Sequence, residues 1–405
     1  MYFGFVIRLV LKPGRDESLR RRHPWVFSGA IARATGDGSD GVAEVVDSSG
    51  QLVGCGAYSP HSQIVARIWS FDGRPPDLEL FRERFAVARR LREEILPPET
   101  TGYRGVNSEG DLCPGVLVDL FDEVGVMDLT TEGTVRWRGD LERAAAEVFH
   151  PAHILVRESG VERDRARLAE ATPSPRPSPG GRGGRREPER APFLENGLRF
   201  FADVAGGQKT GFFLDQRENR SRLRVTARGR SVLDLFSYSG AFSVAALAGG
   251  AARAVDVDSS ESALALAREH RRANGFSVAE EDFIRADVFE DVRRRVAAGE
   301  SWDVVVCDPP AFARKRGDLS RAARGYQDVN RLAMSLVAPG GWLLTCSCSG
   351  LVTADLFQKI VFSASLEAHR TFALAARQGA GPDHPISLDC PEGEYLKGFW
   401  LRRET

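Results

Sequence analysis

No stretch of the 405-residue chain approaches the roughly 20 consecutive apolar residues that a membrane-spanning helix needs. Its start, "MYFGFVIRLVLKPGRDES", has neither a basic leader nor a small-residue cleavage site, so a soluble protein of the cytoplasm is expected. Cysteine is sparse: the six residues Cys55, Cys113, Cys307, Cys346, Cys348 and Cys390 form no even, closely spaced framework, so each is expected as a free thiol. Only Cys346 and Cys348 stand close together, and no second cysteine pair or histidine pair completes the four ligands of a metal site, so no metal is expected. An excess of one charge sign is also missing. The formal net charge is -1 and the pI about 6.7, so whole-chain charge neither supports nor excludes a nucleic-acid partner, and local arginine clusters must decide.

What the chain does have is length and 42% hydrophobic residues, enough for two or three domains. The clearest boundary is "TPSPRPSPGGRGGRREPERAP", residues 172–192, a disordered Pro/Gly/Arg-rich linker by composition. Before it, "YFGFVIRLVL" and "VAEVVDSSGQLVGCGAYSPHSQIVARIWS" show short β-rich runs broken by turn signals, which predicts a small β-barrel-like domain over 1–72. "LELFRERFAVARRLREEIL" then repeats at helical spacing and "CPGVLVDLFDEVGVMDLT" reads as a hairpin; with "AHILVRES" they outline a small central α/β domain over 73–171.

Residues 193–405 change rhythm. From Ser231, apolar strands ("SVLDLF", "RAVDVD", "DFIRAD", "WDVVVC", "GWLLTCS") alternate with amphipathic helices, which specifies an α/β, doubly wound, Rossmann-like sheet with parallel strands. Ligands of such sheets sit outside the carboxyl ends of the strands. The first strand runs into "DLFSYSGAF", where Asp234, Ser239 and Gly240 mark a sharp turn into a helix; an ordinary turn would look the same. The second ends at Asp258, placed to bind ribose hydroxyls, with Ser259 or Ser260 able to cap the next helix; a capping role for Asp258 fits equally well. The third ends at Asp287, suited to an adenine amine. The fourth ends in "CDPPAF", where Asp308 enters a turn stiffened by two prolines, a rigid setting for a planar base with an amino group. Such strand ends, with ribose and adenine roles in order, favour S-adenosylmethionine over a nicotinamide and imply methyl transfer.

Cys346 and Cys348 share a face by the two-residue period of a strand, but only Cys348 reaches the end. Core filling suits Cys346 and Cys307. Cys348 suits a nucleophile: a thiolate adding to carbon 6 of a pyrimidine makes carbon 5 an enamine terminus that can accept a methyl group. Asp308 could hold the cytosine N3 and amino edge. The base that removes the carbon 5 proton is not identified.

"TGFFLDQRENR", "DLFSYSGAFSVAAL", "CDPPAF", "RGYQDVN", "TCSCSG", "DLFQKI" and "EGEYLKGF", in this order, closely resemble the bacterial 23S ribosomal RNA 5-methylcytosine methyltransferase family, and the likeness spans most of the chain. The resemblance implies an N-terminal PUA RNA-binding domain entered at "RRRHPWVFSGAI", a central α/β domain and a C-terminal class I methyltransferase domain. It implies that "FFLDQRENR" is a strand and turn bringing Asp215, Gln216 and Arg217 to the methionine end of the donor. By the same resemblance the "SYSG" turn, Ser237 to Gly240 with Asp234 before it, touches that end too. Asp258 with Ser259 then serves the ribose, Asp287 the adenine, Asp308 the ligand pocket and Cys348 the target cytosine. Related enzymes carry a second cysteine directly after the proline pair; this chain has Ala311 there.

Ribosomal RNA of the 23S type is the expected partner. "LRRRHPW" and "ARKRGDLSRAARGY" each combine arginines with an aromatic, suiting phosphate contacts plus base stacking, although solvated charge is the alternative for each. A homodimer is carried as an expectation. Two other functions fit the same strand ends: methylation of a guanine nitrogen, which makes Cys348 dispensable, and an RNA-binding assembly factor with a vestigial donor pocket.

Overall fold

Six strands open the chain: β1 (Ile7–Leu11), β2 (Trp25–Phe27), β3 (Ile31–Thr35), β4 (Val42–Val46), β5 (Leu52–Tyr58) and β6 (Ile64–Ser70), with helix α1 (Glu17–Arg20) between β1 and β2. They form one sheet in the order β2-β6-β5-β4-β1-β3. Alternate residues Ile7, Leu9 and Leu11 of β1 are buried with Val45, Val65 and Ile68, as a strand with one inward face requires. The computed structural model describes residues 6–160, 188–207, 209–313 and 315–404; most of the 172–192 linker lies outside them.

Helix α2 (Leu78–Ile95) follows, its first turn capped by Asp77, whose carboxylate accepts from Leu80 N–H. A four-stranded sheet, order β10-β9-β8-β7, is built from β7 (Gly102–Asn107), β8 (Val116–Phe121), β9 (Val124–Leu129) and β10 (His153–Arg157), with α3 (Glu132–Arg136) and α4 (Arg138–Phe149) before β10. The hairpin read from the sequence is β8–β9, turning at Asp122 with φ 54°. Trp69 from β6 packs edge-on against Phe81 of α2 and against Trp137, so both sheets share a core. This unit comprises Met1–Ala191, Ala202–Gly211 and Pro382–Gly393.

Strands β11 (Arg190–Glu195) and β12 (Leu198–Asp203) pair with each other. The second unit (Pro192–Phe201, Phe212–Gly381 and Glu394–Thr405) then runs α5 (Arg217–Thr226), β13 (Ser231–Leu235), α6 (Ala241–Ala248), β14 (Arg253–Asp258), α7 (Glu261–Ala273), β15 (Phe283–Arg285), α8 (Val288–Ala297), β16 (Trp302–Cys307), α9 (Leu319–Leu336), β17 (Val337–Ser347), α10 (Ala354–Glu367), β18 (Phe372–Gln378) and β19 (Lys397–Arg403). The sheet order is β15-β14-β13-β16-β17-β19-β18. The first five are parallel and covered on both faces, which is why they read as unbroken apolar runs. Val232, Val304, Val306, Leu344 and Cys346 pack with Leu223 of α5 and Phe242 of α6, while Leu233, Val305, Cys307 and Leu343 pack with Val329 of α9 and Phe357 of α10. Strand order reverses between β13 and β16, the point where ligands of such sheets bind.

Two elements differ from the sequence reading. The sheet is mixed, because β19 runs antiparallel to both β17 and β18, an edge pair that the strand–helix alternation does not announce. "FFLDQRENR" is a 3₁₀ turn (Leu214–Gln216) running into α5, not a strand and turn; its buried Arg217, Arg220 and Leu223 recur at helical spacing. No helix among the described residues is long and apolar enough to cross a membrane.

Candidate active site

Beyond β13 the backbone is strained. Phe236, Tyr238 and Gly240 take left-handed φ values of 61°, 46° and 66°, a conformation that costs a non-glycine residue about 1–2 kcal/mol. Hydrogen bonds hold it: Ser237 N–H to Val257 O (3.1 Å), Gly240 N–H to Ser237 O (2.8 Å) and Tyr238 N–H to Asp258 Oδ2 (2.9 Å). A Cβ on Gly240 would stand 2.7 Å from Ala267 Cβ, so the glycine serves the approach of α6 to α7 as well as the turn. Ser239 is buried, and its carbonyl accepts from His270 Nδ1–H at 2.8 Å; Phe201 N–H donating to His270 Nε2 fixes that tautomer.

Asp234, the last residue but one of β13, is 1% exposed, and neither carboxylate oxygen has a hydrogen-bond partner; Ser237 Oγ is likewise buried and unpartnered. Burial, then the charges of Asp256, Asp308 and Asp258, push the Asp234 carboxyl well above its ordinary value. An orphaned acidic group at this depth fits a cationic ligand group such as the α-ammonium of S-adenosylmethionine. Neighbouring Asp256 has a structural task, since it pairs with Arg271 (2.7 Å) and accepts from Ser243.

Asp258 is not the cap of α7. Ser260 is, accepting from Ala263 N–H, while Asp258 Oδ1 accepts from Ser260 N–H at 2.9 Å. Its two oxygens thus brace the ends of two loops. Ser259 beside it is exposed. Asp287 is exposed and caps α8 through Oδ1, which accepts from Glu290 N–H (3.1 Å).

Half-buried Asp308 follows β16. Its Oδ2 accepts from Gln216 Nε2–H at 2.8 Å, Gln216 Oε1 accepts from Asn219 Nδ2–H at 2.7 Å, and Asn219 Oδ1 accepts from Trp400 Nε1–H at 3.0 Å. This relay fixes which end of the Gln216 amide faces Asp308. Asp215 is buried, with Oδ2 accepting from the Tyr395 hydroxyl at 2.6 Å, and Arg217 is 1% exposed. Gln216 thus meets Asp308, and the charges of Asp308 and Asp258 act on Asp234, whereas Asp287 is held by its own helix.

The cysteines separate by burial. Cys307 and Cys346 are fully buried on opposite faces of the sheet, and burial raises both thiols. Cys348 lies one residue beyond β17 and is half-buried. The turn after it is anchored at Ser349, whose Oγ meets the Tyr326 hydroxyl (2.9 Å) and Ala313 N–H (3.3 Å), and whose carbonyl accepts from Lys397 Nζ (2.7 Å).

Residues 185–385 match the family model described as S-adenosylmethionine-dependent methyltransferase, and residues 9–71 match a PUA-like domain. The chain is 40% identical over 402 residues to ribosomal RNA large subunit methyltransferase I of Enterobacter sp. (strain 638), covering 98% of this chain and 99% of the relative. It is also 40% identical to the protein of that name from Salmonella arizonae, covering 98% and 97%. The chain belongs to the ribosomal RNA large subunit methyltransferase I family. Residues 185–385 make up its S-adenosylmethionine-dependent methyltransferase domain. The fold agrees with the crystal structure of SMU.776, assigned as a methyltransferase and complexed with SAH (TM-score 0.81, 22% identity, 98% of this chain and 99% of that one). A SAM-dependent methyltransferase structure from Streptococcus mutans matches equally (TM-score 0.80, 22% identity, 98% and 99%).

Four residues to which the sequence reading assigned no role are hydrogen-bonded at these strand ends: Asn219 to Gln216, and Tyr326, Ser349 and Lys397 around the turn after Cys348. Tyr326 and Lys397 stand in "RGYQDVN" and "EGEYLKGF", motifs that carried the resemblance without a stated chemistry. One expectation is corrected. Tyr326 is fully buried against Phe312 and Phe357, so the aromatic of the "ARKRGDLSRAARGY" patch is core and does not stack on RNA bases. In "LRRRHPW", Arg20 pairs with Asp16 and Asp47 and Arg21 with Glu17, which spends part of that patch on internal ion pairs. In the first unit, His23, Cys390 and Glu392 bring ligand-type atoms within 4.8 Å of one another. His23 Nδ1 accepts from Trp25 N–H, however, which leaves Nε2 protonated and facing Glu392 Oε2 (3.3 Å), an arrangement for a hydrogen bond rather than for metal.

Proposed function

We propose that the chain methylates carbon 5 of a cytosine in large-subunit (23S) ribosomal RNA in the cytoplasm, with Cys348 as the covalent nucleophile. One observation carries the reading. Of the cysteines at the ends of β16 and β17, Cys348 alone escapes full burial, and it sits on a turn anchored at Ser349, at the strand ends that also carry Asp234, Asp258 and Asp308. The name shared by the relatives supports the RNA substrate.

S-adenosylmethionine, when bound, supplies an electrophilic methyl group at its sulfonium. Asp234 and Ser237, with the Asp215–Arg217 segment and the Ser239–Gly240 turn, would hold its methionine end, Asp258 and Ser259 its ribose, and Asp287 its adenine. The Cys348 thiolate adds to carbon 6 of the cytosine, forming the S–C bond and moving the ring electron pair toward carbon 5. Asp308, oriented by Gln216 and sharing a proton with N3, takes the N3 and amino edge and stabilises the negative charge that develops there. Once carbon 5 carries the methyl group, loss of its proton to a base re-forms the ring double bond and the thiolate leaves. Residues 1–72 and 73–171 would dock the RNA.

Incubation of the Cys348→Ala protein with unmodified ribosomal RNA and labelled donor tests the reading. No label is expected; full retained activity removes the covalent mechanism, and label found on guanine replaces cytosine as target. Titration calorimetry with S-adenosylmethionine answers the assembly-factor reading, since no heat at donor concentrations near about a millimolar would favour a vestigial pocket.

A further inference from the structure

Lys397 opens β19 opposite Ser347 of β17 and is 5% exposed. Its Nζ donates to Ser349 O and Tyr395 O, both at 2.7 Å, and among the described residues no carboxylate lies within 4.0 Å of it. Removing an ammonium from water without a counter-ion is unfavourable, so the position calls for an anion. Carbonyls aim the side chain at the turn that carries Cys348, because Ser349 is the next residue. The titratable and charged groups at this corner are Lys397 and Glu394 beside it, Tyr326 from α9, Cys346 from β17 and Asp308 after β16. Of these, Lys397 is the cation.

We propose that Lys397 is the positioning residue that keeps Cys348 ionised: the Cys348 S–H bond breaks with its electron pair left on sulfur, the proton passes to the Lys397 amine, and the ammonium stays beside the thiolate as its counter-charge. This rests on the reading of Cys348 as nucleophile. Burial lowers Lys397 to about 8, with the Cys348 thiolate opposing that fall, and an ordinary thiol titrates near 8.5, so the two groups are matched for sharing a proton. A compact ammonium suits the place better than a guanidinium fork, since both of its fixed partners are single carbonyl oxygens.

The test is the rate of Cys348 alkylation by iodoacetamide in the full chain, followed by peptide mass analysis between about pH 5.5 and 9.5. The other five cysteines are buried and serve as internal controls. Wild type is expected to show a midpoint below about 8.5, and Lys397→Met a midpoint at least about one unit higher, so that its Cys348 reacts about tenfold more slowly near neutral pH. Lys397→Arg, which keeps the charge but not the compact ammonium or its proton exchange, should recover part of the shift. A wild-type midpoint at or above the ordinary thiol value overturns the proposal without any variant, and so does an unchanged midpoint in Lys397→Met that still binds S-adenosylmethionine by calorimetry. Retained methylation by Cys348→Ala would end the nucleophile reading instead, leaving the alkylation profile to stand or fall separately.

Discussion

Gln216 donates its amide N–H to Asp308 Oδ2 at 2.8 Å across 92 residues of sequence, and Asn219 and Trp400 hold the amide that way round. The pair ties the 3₁₀ turn before α5 to the proline turn after β16. Replacing the amide disturbs both.

Gln216→Leu leaves the Asn219 amide without its buried acceptor and takes the Gln216 donor from Asp308. Leaving such groups unsatisfied costs about 1–3 kcal/mol, which chemical denaturation would read. Because Asp308 then loses its fixed orientation, kcat/KM for RNA should fall by about tenfold or more.

Cys346 and Cys348 should respond oppositely. Cys346 packs with Leu344, Val304 and Val306, so Cys346→Ala should lower stability by about 1 kcal/mol and leave methyl transfer largely intact. Cys348→Ala should leave the melting temperature nearly unchanged while transfer of label is lost. Equal activity loss in both would contradict the assignment.

Asp234 makes stability depend on pH in a definite direction. Its folded pKa lies above the ordinary value of 3.8, so between the two the native state binds the proton more tightly than the unfolded chain. Its contribution is full below 3.8 and is lost as pH rises through the folded value. Asp234→Asn removes that loss: the variant should match wild type near pH 4, exceed it as pH rises and keep a constant advantage above the folded value in thermal unfolding, while binding S-adenosylmethionine more weakly in calorimetry.

Asp258 accepts from Tyr238 N–H and Ser260 N–H, bracing a turn that contains three left-handed residues. Asp258→Ala should weaken donor binding by about 10- to 100-fold, equivalent to about 1.4–2.8 kcal/mol, and Asp258→Asn, which keeps one acceptor oxygen, should fall between.

Gly240→Ala would force a Cβ to within 2.7 Å of Ala267 Cβ at φ 66°. A loss of about 1–3 kcal/mol is expected, detected as a lowered denaturation midpoint.

Much of this site lies in local pattern. The parallel strands are short apolar runs, and an acidic or cysteine residue in the last two positions of the strand or just after it marks the tip, so Asp234, Asp258, Asp308 and Cys348 can be placed from sequence spacing. The β18–β19 edge escapes that logic: β18 alternates half-buried and exposed residues, and its antiparallel pairing depends on a partner outside the strand–helix rhythm. Helix α5 escapes it too, because the buried residues of its first turn are arginine and asparagine, which carry no hydrophobic signal.

The amino-acid sequence alone determined the order of the parallel strands with the helices between them and the residues near their tips, since hydrophobic periodicity and turn chemistry act over a few residues. Only the tertiary structure decided which distant polar groups meet. Lys397 reaches Ser349 across 48 residues and Trp400 reaches Asn219 across 181, and such meetings arise when the sheet brings β19 beside β17 and packs α5 on one of its faces. A buried polar group must find a partner wherever the fold provides one, and no local pattern names that partner in advance.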